Sequence, residues 1–340
     1  MHKTYIIAEM SANHCGNIEL AKKIIRAAKD VGADAVKVQT YTADTITIDC
    51  RSDIFQTAAD SLWAGQTLYE LYQKAYTPWE WQGSLKQYAD EVGIDFFSTP
   101  FDYTAVDFLE SIGVSKYKIA SFEAIDYPLI RYAAAKGKPM LISVGISTPE
   151  EIHEAVQACH AVGNHDVTLL KCTSAYPAKP EDMNIITVQD LRARFAPLGV
   201  KIGLSDHSMS VETVVAAVAL GAQVIEKHLT LDRSLGGEDS AFSLNVSEFA
   251  QMVQAVRNTE RVLGRVDYSG GAANRRFARS LFAVKDIRKG EVFTPENIRS
   301  IRPAHGLHPR HYDTLLGQTA QKDIPFGTPL DASCVAHLTL

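Results

Sequence analysis

Short runs of β-branched and other apolar residues alternate along this chain with longer segments of helical period. This alternation is typical of parallel β-α units, in which each strand is followed by a helix. Eight such runs are present, and a helical segment at 247–264 follows the last of them. Eight strands and eight helices predict an α/β fold of the TIM (β/α)8 barrel type. The predicted strands cover residues 5–9, 34–40, 95–100, 116–121, 139–145, 167–174, 200–206 and 223–228.

An open doubly wound sheet is the competing α/β architecture. It uses fewer strands and usually has a G-x-G-x-x-G turn after the first of them. The first turn here reads EMSANHCGN and lacks that spacing. The pattern therefore favours the closed barrel.

The sequence changes character after Gly264. The stretch RVDYSGGAANRR is polar and glycine-rich, and it predicts a linker over residues 266–278, between a barrel at 1–265 and a second domain at 279–340. Within the second domain, AVKDIRKGEVF at 283–293 reappears as AQKDIPFGTPL at 320–330. This repetition predicts a small β-rich module built from two similar halves.

A long connection follows the second predicted strand. It runs from Tyr41 to about Tyr76, which is far longer than an ordinary loop between a strand and its helix. Loops at this end of a barrel surround the active site, so we expect a lid over the mouth. The alternative is a surface decoration without a role in the site.

Composition argues against several classes of partner. The 340 residues are 46% hydrophobic and 22% charged, with a formal net charge of -6, so nothing indicates a nucleic-acid partner, and small molecules are expected instead. We find neither a signal-peptide pattern nor an apolar run long enough to cross a bilayer, which predicts a cytoplasmic protein that does not bind membranes. The five cysteines are scattered and form no C-x-x-C pair, which indicates neither a disulfide framework nor a zinc knot.

Polar residues stand at the carboxyl end of nearly every predicted strand. In a TIM barrel these ends meet at one mouth, where active sites are built. The segments GLSDHS and IEKHLTLD are the clearest examples, since each places an imidazole close to a carboxylate and they belong to neighbouring strands. The residues expected at the mouth are Glu9, Lys37, Gln39, Ser98, Thr99, Lys118, Ser121, Glu123, Ser143, Ser174, Tyr176, Ser205, Asp206, His207, Glu226 and His228.

Lys37 and Lys118 lie among apolar neighbours, in AVKVQ and KYKIAS. A buried ammonium group is costly unless it meets an anion. One interpretation is a salt bridge to Glu9 or Glu123. A second is an anion site, in which the two lysines and nearby serine hydroxyls bind a phosphate and a carboxylate. A third is a Schiff-base lysine, which needs a desolvated amine.

His207 and His228 are candidates for a metal site. A single histidine at a strand end is more often structural, but two that face each other across a barrel mouth favour metal binding. Two imidazoles are fewer than the three protein ligands typical of catalytic zinc. We therefore expect Mn²⁺ or Mg²⁺, completed by water and substrate oxygen, with Co²⁺ as a further candidate. Such an ion would polarise a carbonyl group.

These segments, in this order, resemble the sialic acid synthase family, whose members condense phosphoenolpyruvate with an acylated amino sugar. The resemblance is carried by IIAEMSANHCGN, DAVKVQTY, FFSTPFD, YKIASFE, CTSAYP, GLSDHS and IEKHLTLD, which together span nearly the whole barrel. The repeat near the C-terminus resembles the antifreeze-like (SAF) domain that follows the barrel in this family.

The resemblance implies roles for individual residues. Phosphoenolpyruvate would be held by Lys37, Thr99, Lys118, Ser121, Ser143 and Ser205, and the metal by His207 and His228. The sugar would be surrounded by Glu9, Gln39, Tyr176, Glu226 and Asp239. The resemblance also implies a homodimer, in which the SAF domain of one subunit caps the barrel of the other and Arg302 reaches an acetamido group of the sugar. Glu9 and Glu123 are both candidates for catalytic proton transfer.

Several stretches resemble the branch of the family that uses 2,4-diacetamido-2,4,6-trideoxy-L-altrose, namely QTYTADTITI, TPWEW, EDSAFSL and RPAHGLHP. Members that make N-acetylneuraminic or legionaminic acid typically have Gly-Pro-Asp where this chain has Gly237, Glu238 and Asp239, and the sialic branch commonly has Asn in place of Ser174. We therefore expect the diacetamido sugar, with N-acetylneuraminic or legionaminic acid synthesis as the alternative. Non-catalytic carbohydrate or ice binding is a rival of another class, and the polar strand ends argue against it.

Overall fold

The computed structural model describes residues 3–59, 61–268 and 271–338. The chain divides into a barrel unit, Met1–Gly264, and a C-terminal unit, Arg265–Leu340. The barrel unit contains eight parallel strands that form a closed ring. These are β1 (Tyr5–Glu9), β2 (Ala35–Thr40), β3 (Asp95–Pro100), β4 (Tyr117–Ile119), β5 (Met140–Ser143), β6 (Val167–Cys172), β7 (Lys201–Asp206) and β8 (Val224–His228).

Strand β1 closes the ring because it pairs on both sides. Its last residue, Glu9, is in register with Lys37 of β2 and with His228 of β8. A closed ring of parallel strands is the TIM barrel architecture that the alternation of strands and helices predicts, and this prediction is confirmed. The open doubly wound sheet is excluded, since an open sheet has edge strands and this ring has none.

One helix follows each strand, except that two short helices precede the main helix after β2. Local sequence sets the helix ends: the side chain of Asn17 accepts the N–H groups of Glu19 and Leu20 at the first helix. Gly93, in the left-handed conformation, ends the helix after β2. The helices are α1 (Ile18–Asp30), α2 (Ala43–Ile46), α3 (Leu68–Ala75), α4 (Trp79–Val92), α5 (Tyr103–Ser111), α6 (Tyr127–Ala134), α7 (Pro149–His160), α8 (Thr187–Phe195), α9 (Val211–Ala219) and α10 (Val246–Leu263).

The strands are buried on both faces, by the barrel interior on one side and by the helices on the other. Phe96 and Phe97, which are neighbours in β3 and point to opposite faces, are both fully buried. This double burial explains why the strands read as nearly continuous apolar runs. Polar side chains are concentrated where the strands end.

Three strands end two residues earlier than predicted. Strand β4 ends at Ile119 rather than at residue 121, β5 at Ser143 rather than at residue 145, and β6 at Cys172 rather than at residue 174. After β4 the chain turns at once into a short 3-10 helix, Ser121–Glu123. The polar residues there lie on the rim of the barrel and not within its strands.

The C-terminal unit has its own core, formed by residues such as Leu281, Ile298 and Leu330. It contains an antiparallel pair, β9 (Ser280–Ala283) and β10 (Ile298–Ile301), and a single helical turn, α11 (Tyr312–Leu315). The linker predicted over 266–278 belongs to this unit by its contacts, and Ala272–Phe277 form a 3-10 helix. Residues 269 and 270 of that prediction lie outside the described residues.

The two repeats of the C-terminal unit bind each other reciprocally. Ile287 and Ile324 occupy equivalent positions, and each donates its N–H to the carbonyl of the other, at 2.9 and 2.8 Å. The carboxylate of Asp286 accepts a backbone N–H of the second repeat at 2.7 Å, and the equivalent Asp323 accepts one of the first repeat at 2.8 Å. The predicted module of two similar halves therefore has an internal pseudo-twofold symmetry.

All five cysteines are free. Within the described residues, none of the helices combines the length and the apolar character that a bilayer span requires.

Candidate active site

The carboxyl ends of the barrel strands surround a cavity of about 560 Å³. It is enclosed further by the long connection between β2 and α4 and by the segment that follows β8. The lining includes fifteen of the residues that the sequence analysis assigned to this site. They are Glu9, Lys37, Gln39, Thr99, Lys118, Ser121, Glu123, Ser143, Ser174, Tyr176, Ser205, His207, Glu226, His228 and Asp239.

Two residues expected at the mouth point away from it, and their prediction is wrong. Ser98 donates to the carbonyl of Val38 at 3.0 Å, and Asp206 forms a buried ion pair with Lys227. Successive side chains of a strand face opposite sides. Because Thr99 and Ser205 face the cavity, their neighbours Ser98 and Asp206 face the helices.

A cluster of buried charges forms the floor of the cavity. Lys37 contacts the carboxylate of Glu9, and its Nζ also lies 3.8 Å from Glu226 and 3.1 Å from the hydroxyl of Thr99. Lys118 lies 3.9 Å from Glu226. The salt-bridge interpretation is thus correct for Lys37 and Glu9, whereas the partner of Lys118 is Glu226 rather than Glu123.

The two lysines differ in how well their charges are balanced. Burial alone would lower the pKa of Lys37, but the carboxylates of Glu226 and Glu9 raise it above its usual value. Burial lowers the pKa of Lys118, and Glu226 offsets this effect only in part. Lys118 therefore has capacity left for a further anion.

Two carboxyl groups in the cavity have pKa values near neutrality. Burial raises the pKa of Glu9 to about 7, against the opposing effect of the Lys37 ammonium group. Burial also raises the pKa of Glu123 to about 7. Oε2 of Glu123 is buried and has no hydrogen-bond partner among the described residues. Carboxyl groups of this kind can exchange protons with a substrate at physiological pH.

The imidazoles of His207 and His228 face each other, with ring centroids 5.4 Å apart. Nδ1 of His207 donates to the carbonyl of Thr173 at 3.0 Å, which leaves Nε2 free for a ligand. Burial alone would lower the pKa of His207, but its contacts with Cys172 and with the Thr173 carbonyl together outweigh burial and raise the pKa above its usual value. Burial and the neighbouring His207 hold the pKa of His228 well below its usual value, so this ring is neutral, and its buried Nδ1 has no partner among the described residues.

This donor set fits a labile divalent ion better than a closed metal site. Within the described residues there is no group of three or more His, Cys, Asp or Glu side chains arranged to hold a metal. Two imidazoles would leave most coordination positions to water and substrate, which suits Mn²⁺ or Mg²⁺ better than structural zinc.

The cavity contains an unusual concentration of unsatisfied polar atoms. Buried polar groups are nearly always hydrogen-bonded, so each exception requires an explanation. A polar ligand that fills the cavity would supply the missing partners. Within the described residues, the side chains around the cavity that have such atoms are Glu9, Glu123, Ser143, Glu226 and His228.

Two side chains that shape the site, Trp63 and Cys172, are not among the residues that the sequence predicts at the mouth. Trp63 belongs to the expected lid; its Nε1 donates to the carbonyl of Glu238 at 3.1 Å and its ring lies 5.8 Å from that of Tyr176. Cys172 lies at the end of β6 with Sγ 3.8 Å from Nδ1 of His207. Cys172 begins the segment CTSAYP, which carries the family resemblance, and Trp63 lies in the segment that was too long for an ordinary loop.

The segment after β8 adds an acid and an aromatic ring. Burial raises the pKa of Asp239, although hydrogen bonds from Ser11 and Ala12 oppose this effect. The ring of Phe242 is fully buried and lies 4.9 Å from that of His228. Arg302, the remaining predicted site residue, belongs to the C-terminal unit, where it is exposed.

Comparison with known proteins places the chain among synthases. The sequence pattern of the NeuB family matches residues 24–268, and that of the SAF domain matches residues 278–336. The chain is 48% identical to pseudaminic acid synthase of Campylobacter jejuni (strain 81-176), over 97% of this chain and 96% of the relative. The Helicobacter pylori enzyme of the same name is 45% identical, over 96% of each chain.

More distant relatives share the same arrangement. The N,N'-diacetyllegionaminic acid synthase of Legionella pneumophila is 34% identical, over 96% of this chain and 93% of the relative. The crystal structure of the spore coat polysaccharide biosynthesis protein SpsE of Bacillus subtilis superposes with a TM-score of 0.66 at 35% identity, covering 99% of this chain and 96% of that one. The resemblance to the sialic acid synthases is confirmed, and the chain belongs to the NeuB family, with a SAF domain after its barrel.

Proposed function

We propose that the chain is a pseudaminic acid synthase. It would condense phosphoenolpyruvate with 2,4-diacetamido-2,4,6-trideoxy-L-altrose and water, giving pseudaminic acid and phosphate. The observation that carries this proposal is the 48% identity to a pseudaminic acid synthase over 97% of the chain. The cavity supports it, because its buried cations, unsatisfied polar atoms and paired imidazoles suit an anionic substrate and an aldehyde.

Phosphoenolpyruvate is assigned to the floor of the cavity, where the two buried lysines lie. Lys118 has the less balanced charge, and the hydroxyl of Ser143 is buried without a partner among the described residues. These two groups, with Lys37 and Thr99, would bind the phosphate and carboxylate through charge-assisted hydrogen bonds. They would hold C3 of the enol ether in the orientation for attack and stabilise charge as phosphate leaves. Ser121 and Ser205 line the same cavity.

His207 and His228 would hold a divalent metal, with Mn²⁺ or Mg²⁺ preferred and Co²⁺ as a further candidate. When bound, the metal would act as a Lewis acid toward the aldehyde of the open-chain sugar. The chain's own contribution would be to hold the two imidazoles facing each other and to keep His228 neutral through burial.

The reaction forms a bond between C3 of phosphoenolpyruvate and C1 of the sugar. Water adds at C2 of the former enol ether, and the resulting adduct loses phosphate by cleavage of its C2–O bond. We assign the proton transfer to Glu123 rather than to Glu9, because the carboxylate of Glu9 forms an ion pair with Lys37, whereas Glu123 forms no ion pair with any of the described residues. With a pKa of about 7, Glu123 can accept a proton from water and release it within one turnover.

The sugar is assigned to the part of the cavity above this floor. Gln39, Tyr176 and Asp239 line the cavity, Trp63 of the connection between β2 and α4 lies beside Tyr176, and Glu226 would reach the sugar from the floor. This supports the expectation that the connection acts as a lid. Since phosphoenolpyruvate is a metabolite of the cytoplasm, we assign the enzyme to that compartment.

The homodimer implied by the family remains part of the proposal. In it, the C-terminal unit of one subunit would cap the barrel of the other, and Arg302 would bind an acetamido group of the sugar. Arg302→Ala should then raise the KM for the sugar about 10-fold or more, the cost of losing a charged hydrogen bond, while the KM for phosphoenolpyruvate stays unchanged. Steady-state kinetics of the purified dimer measure both constants; an effect confined to phosphoenolpyruvate would contradict the assignment.

One experiment separates this function from its rivals. The enzyme is supplied with phosphoenolpyruvate, Mn²⁺ and one of three sugars: the L-altro diacetamido sugar, its legionaminic acid precursor, or N-acetylmannosamine. Phosphate release is followed and products are identified by mass spectrometry. We expect the highest kcat/KM with the L-altro sugar. Preference for another sugar would assign the chain to a different branch, and inactivation by borohydride in the presence of substrate would favour the Schiff-base alternative.

A further inference from the structure

A fully buried ion pair lies behind the wall of the candidate active site, outside the cavity. Nζ of Lys227 is 2.5 Å from Oδ2 of Asp206, and both side chains are 0% exposed. Neither residue lines the cavity, and the proposed reaction uses neither of them. The pair therefore calls for an explanation of its own.

The position of the pair in the β-sheet ladder is informative. On strands β7 and β8, Ser205 is in register with Glu226, and Asp206 is in register with Lys227. The first of these rungs faces the cavity, where Ser205 donates to Glu226 at 3.0 Å. The second faces the helices, and with it the paired ladder ends. His207 and His228 come directly after this last rung.

Lys227 also fixes the chain on the far side of His207. Its Nζ donates to the carbonyl of Ser208 at 2.5 Å, and the N–H of Ser208 donates to Oδ1 of Asp206 at 2.8 Å. The residues before and after His207 are thus both tied to the residue before His228. The imidazole of His207 projects from a turn whose two ends are tied to β8.

Stability alone is a poor explanation for this arrangement. Desolvation of two charges cancels much of their attraction, and replacing a buried ion pair by apolar residues of similar volume is often neutral or stabilising. Apolar side chains, however, would not fix the distance and orientation between the ends of β7 and β8. Charged hydrogen bonds do fix them, because their geometry is specific.

We propose that the Asp206–Lys227 pair is a positioning device that holds His207 and His228 at the separation required to bind one divalent metal ion. The proposal rests on the metal-dependent synthase function proposed above. Residues that orient metal ligands from behind typically change metal affinity about 10- to 100-fold when they are replaced.

The test measures binding of Mn²⁺ alone, by electron paramagnetic resonance and calorimetry, to the full-length protein without substrates. The Asp206→Asn/Lys227→Met double variant removes both charges, keeps an acceptor for the N–H of Ser208 and leaves no unpaired ion. We expect its Kd for Mn²⁺ to rise about 10- to 100-fold, with weaker nitrogen hyperfine coupling from the imidazoles, while circular dichroism shows a folded protein.

The matched control is a second ion pair, Asp95 with Lys116, which lies at the opposite ends of the barrel strands. Asp95→Asn/Lys116→Met should alter the free energy of unfolding but leave the Kd for Mn²⁺ unchanged. Lys227→Arg, which keeps the charge but changes the donor geometry, provides a second variant if the double variant does not fold. Its Kd for Mn²⁺ should also rise.

The outcomes separate the two proposals. If the wild-type protein binds Mn²⁺ and the folded variants at Asp206 and Lys227 bind it equally well, the positioning role is refuted and the proposed function stands. If the wild-type protein does not bind Mn²⁺, the metal-dependent function fails together with the positioning role.

Discussion

The barrel mouth and the C-terminal unit differ in whether their polar groups have hydrogen-bond partners within the protein. In the C-terminal unit, the repeats satisfy each other: Ile287 pairs with Ile324, and the carboxylates of Asp286 and Asp323 bind backbone N–H groups across the pseudo-twofold axis. At the mouth, buried oxygen and nitrogen atoms have no such partners among the described residues. Polar groups that form hydrogen bonds with each other stabilise a fold, whereas buried polar groups without such partners indicate where a ligand binds.

Loss of either imidazole at the mouth should have the largest effect. His207→Ala or His228→Ala should lower kcat at least about 1,000-fold, because polarisation of the aldehyde contributes several kcal/mol to the barrier. Mn²⁺-dependent phosphate release measures the loss. His14→Ala is the control, because His14 is also buried but its Nε2 already bonds to Thr77 at 3.1 Å. The His14→Ala variant should be less stable but should still respond to Mn²⁺. Undiminished synthesis after exhaustive chelation of the wild-type protein would contradict the metal's role.

Proton transfer at the mouth predicts a characteristic pH profile. With a pKa of about 7, Glu123 is mostly protonated at pH 6 and mostly ionised at pH 8, so kcat should rise between these values. Glu123→Gln should lower kcat about 100-fold and flatten the profile. Glu9→Gln, at a carboxyl group whose pKa is also about 7, should keep the rise in kcat. If Glu9→Gln flattens the profile instead, the roles of the two residues are reversed.

Two serines allow a direct comparison between a buried hydroxyl that has a hydrogen-bond partner and one that has none among the described residues. Ser143→Ala removes a hydroxyl without a partner among the described residues, so the KM for phosphoenolpyruvate should rise about 10-fold with little change in stability. Ser98→Ala removes a hydroxyl that donates to Val38 at 3.0 Å, so it should cost about 1 kcal/mol of stability and leave KM unchanged. Kinetics and urea unfolding measure both effects, and an exchange of the two patterns would break the comparison.

The smallest effect is expected in the C-terminal unit. Asp286→Ala and Asp323→Ala should each cost about 1 to 2 kcal/mol of its stability, and by equal amounts, because the two bonds are symmetry-equivalent. Hydrogen exchange at the amides of Ile287 and Ile324 reports this loss. Lys285→Ala, at the exposed neighbouring position, is the control and should change nothing. Unequal losses would show that the halves are not energetically equivalent.

Much of the fold could be predicted because it depends on periodicity. Eight apolar runs separated by helices leave few alternatives to a barrel, and the geometry of a barrel then brings polar strand ends together. The alternation of side chains along a strand could also have been used. If Ser205 and Glu226 face the cavity, their neighbours Asp206 and Lys227 must face the helices.

Other features of the site depend on contacts that leave no local pattern. Trp63 reaches Tyr176 from a different part of the chain, and its position depends on how the connection between β2 and α4 folds back over the mouth. The repeat in the C-terminal unit was visible in the sequence, but its reciprocal pairing of Ile287 with Ile324 was not. Long-range register of this kind depends on packing that one-dimensional periodicity does not encode.

Closure of the barrel by its first and last strands also governs when the pocket can arise during synthesis on the ribosome. Glu9 emerges early, but its neighbour His228 emerges only after nearly all of the barrel unit. Until then, β1 offers an unpaired edge to other nascent chains, so a stalled or truncated product that lacks β8 would be prone to aggregation. The cavity is thus completed only once β8 has been synthesised, shortly before the C-terminal unit emerges.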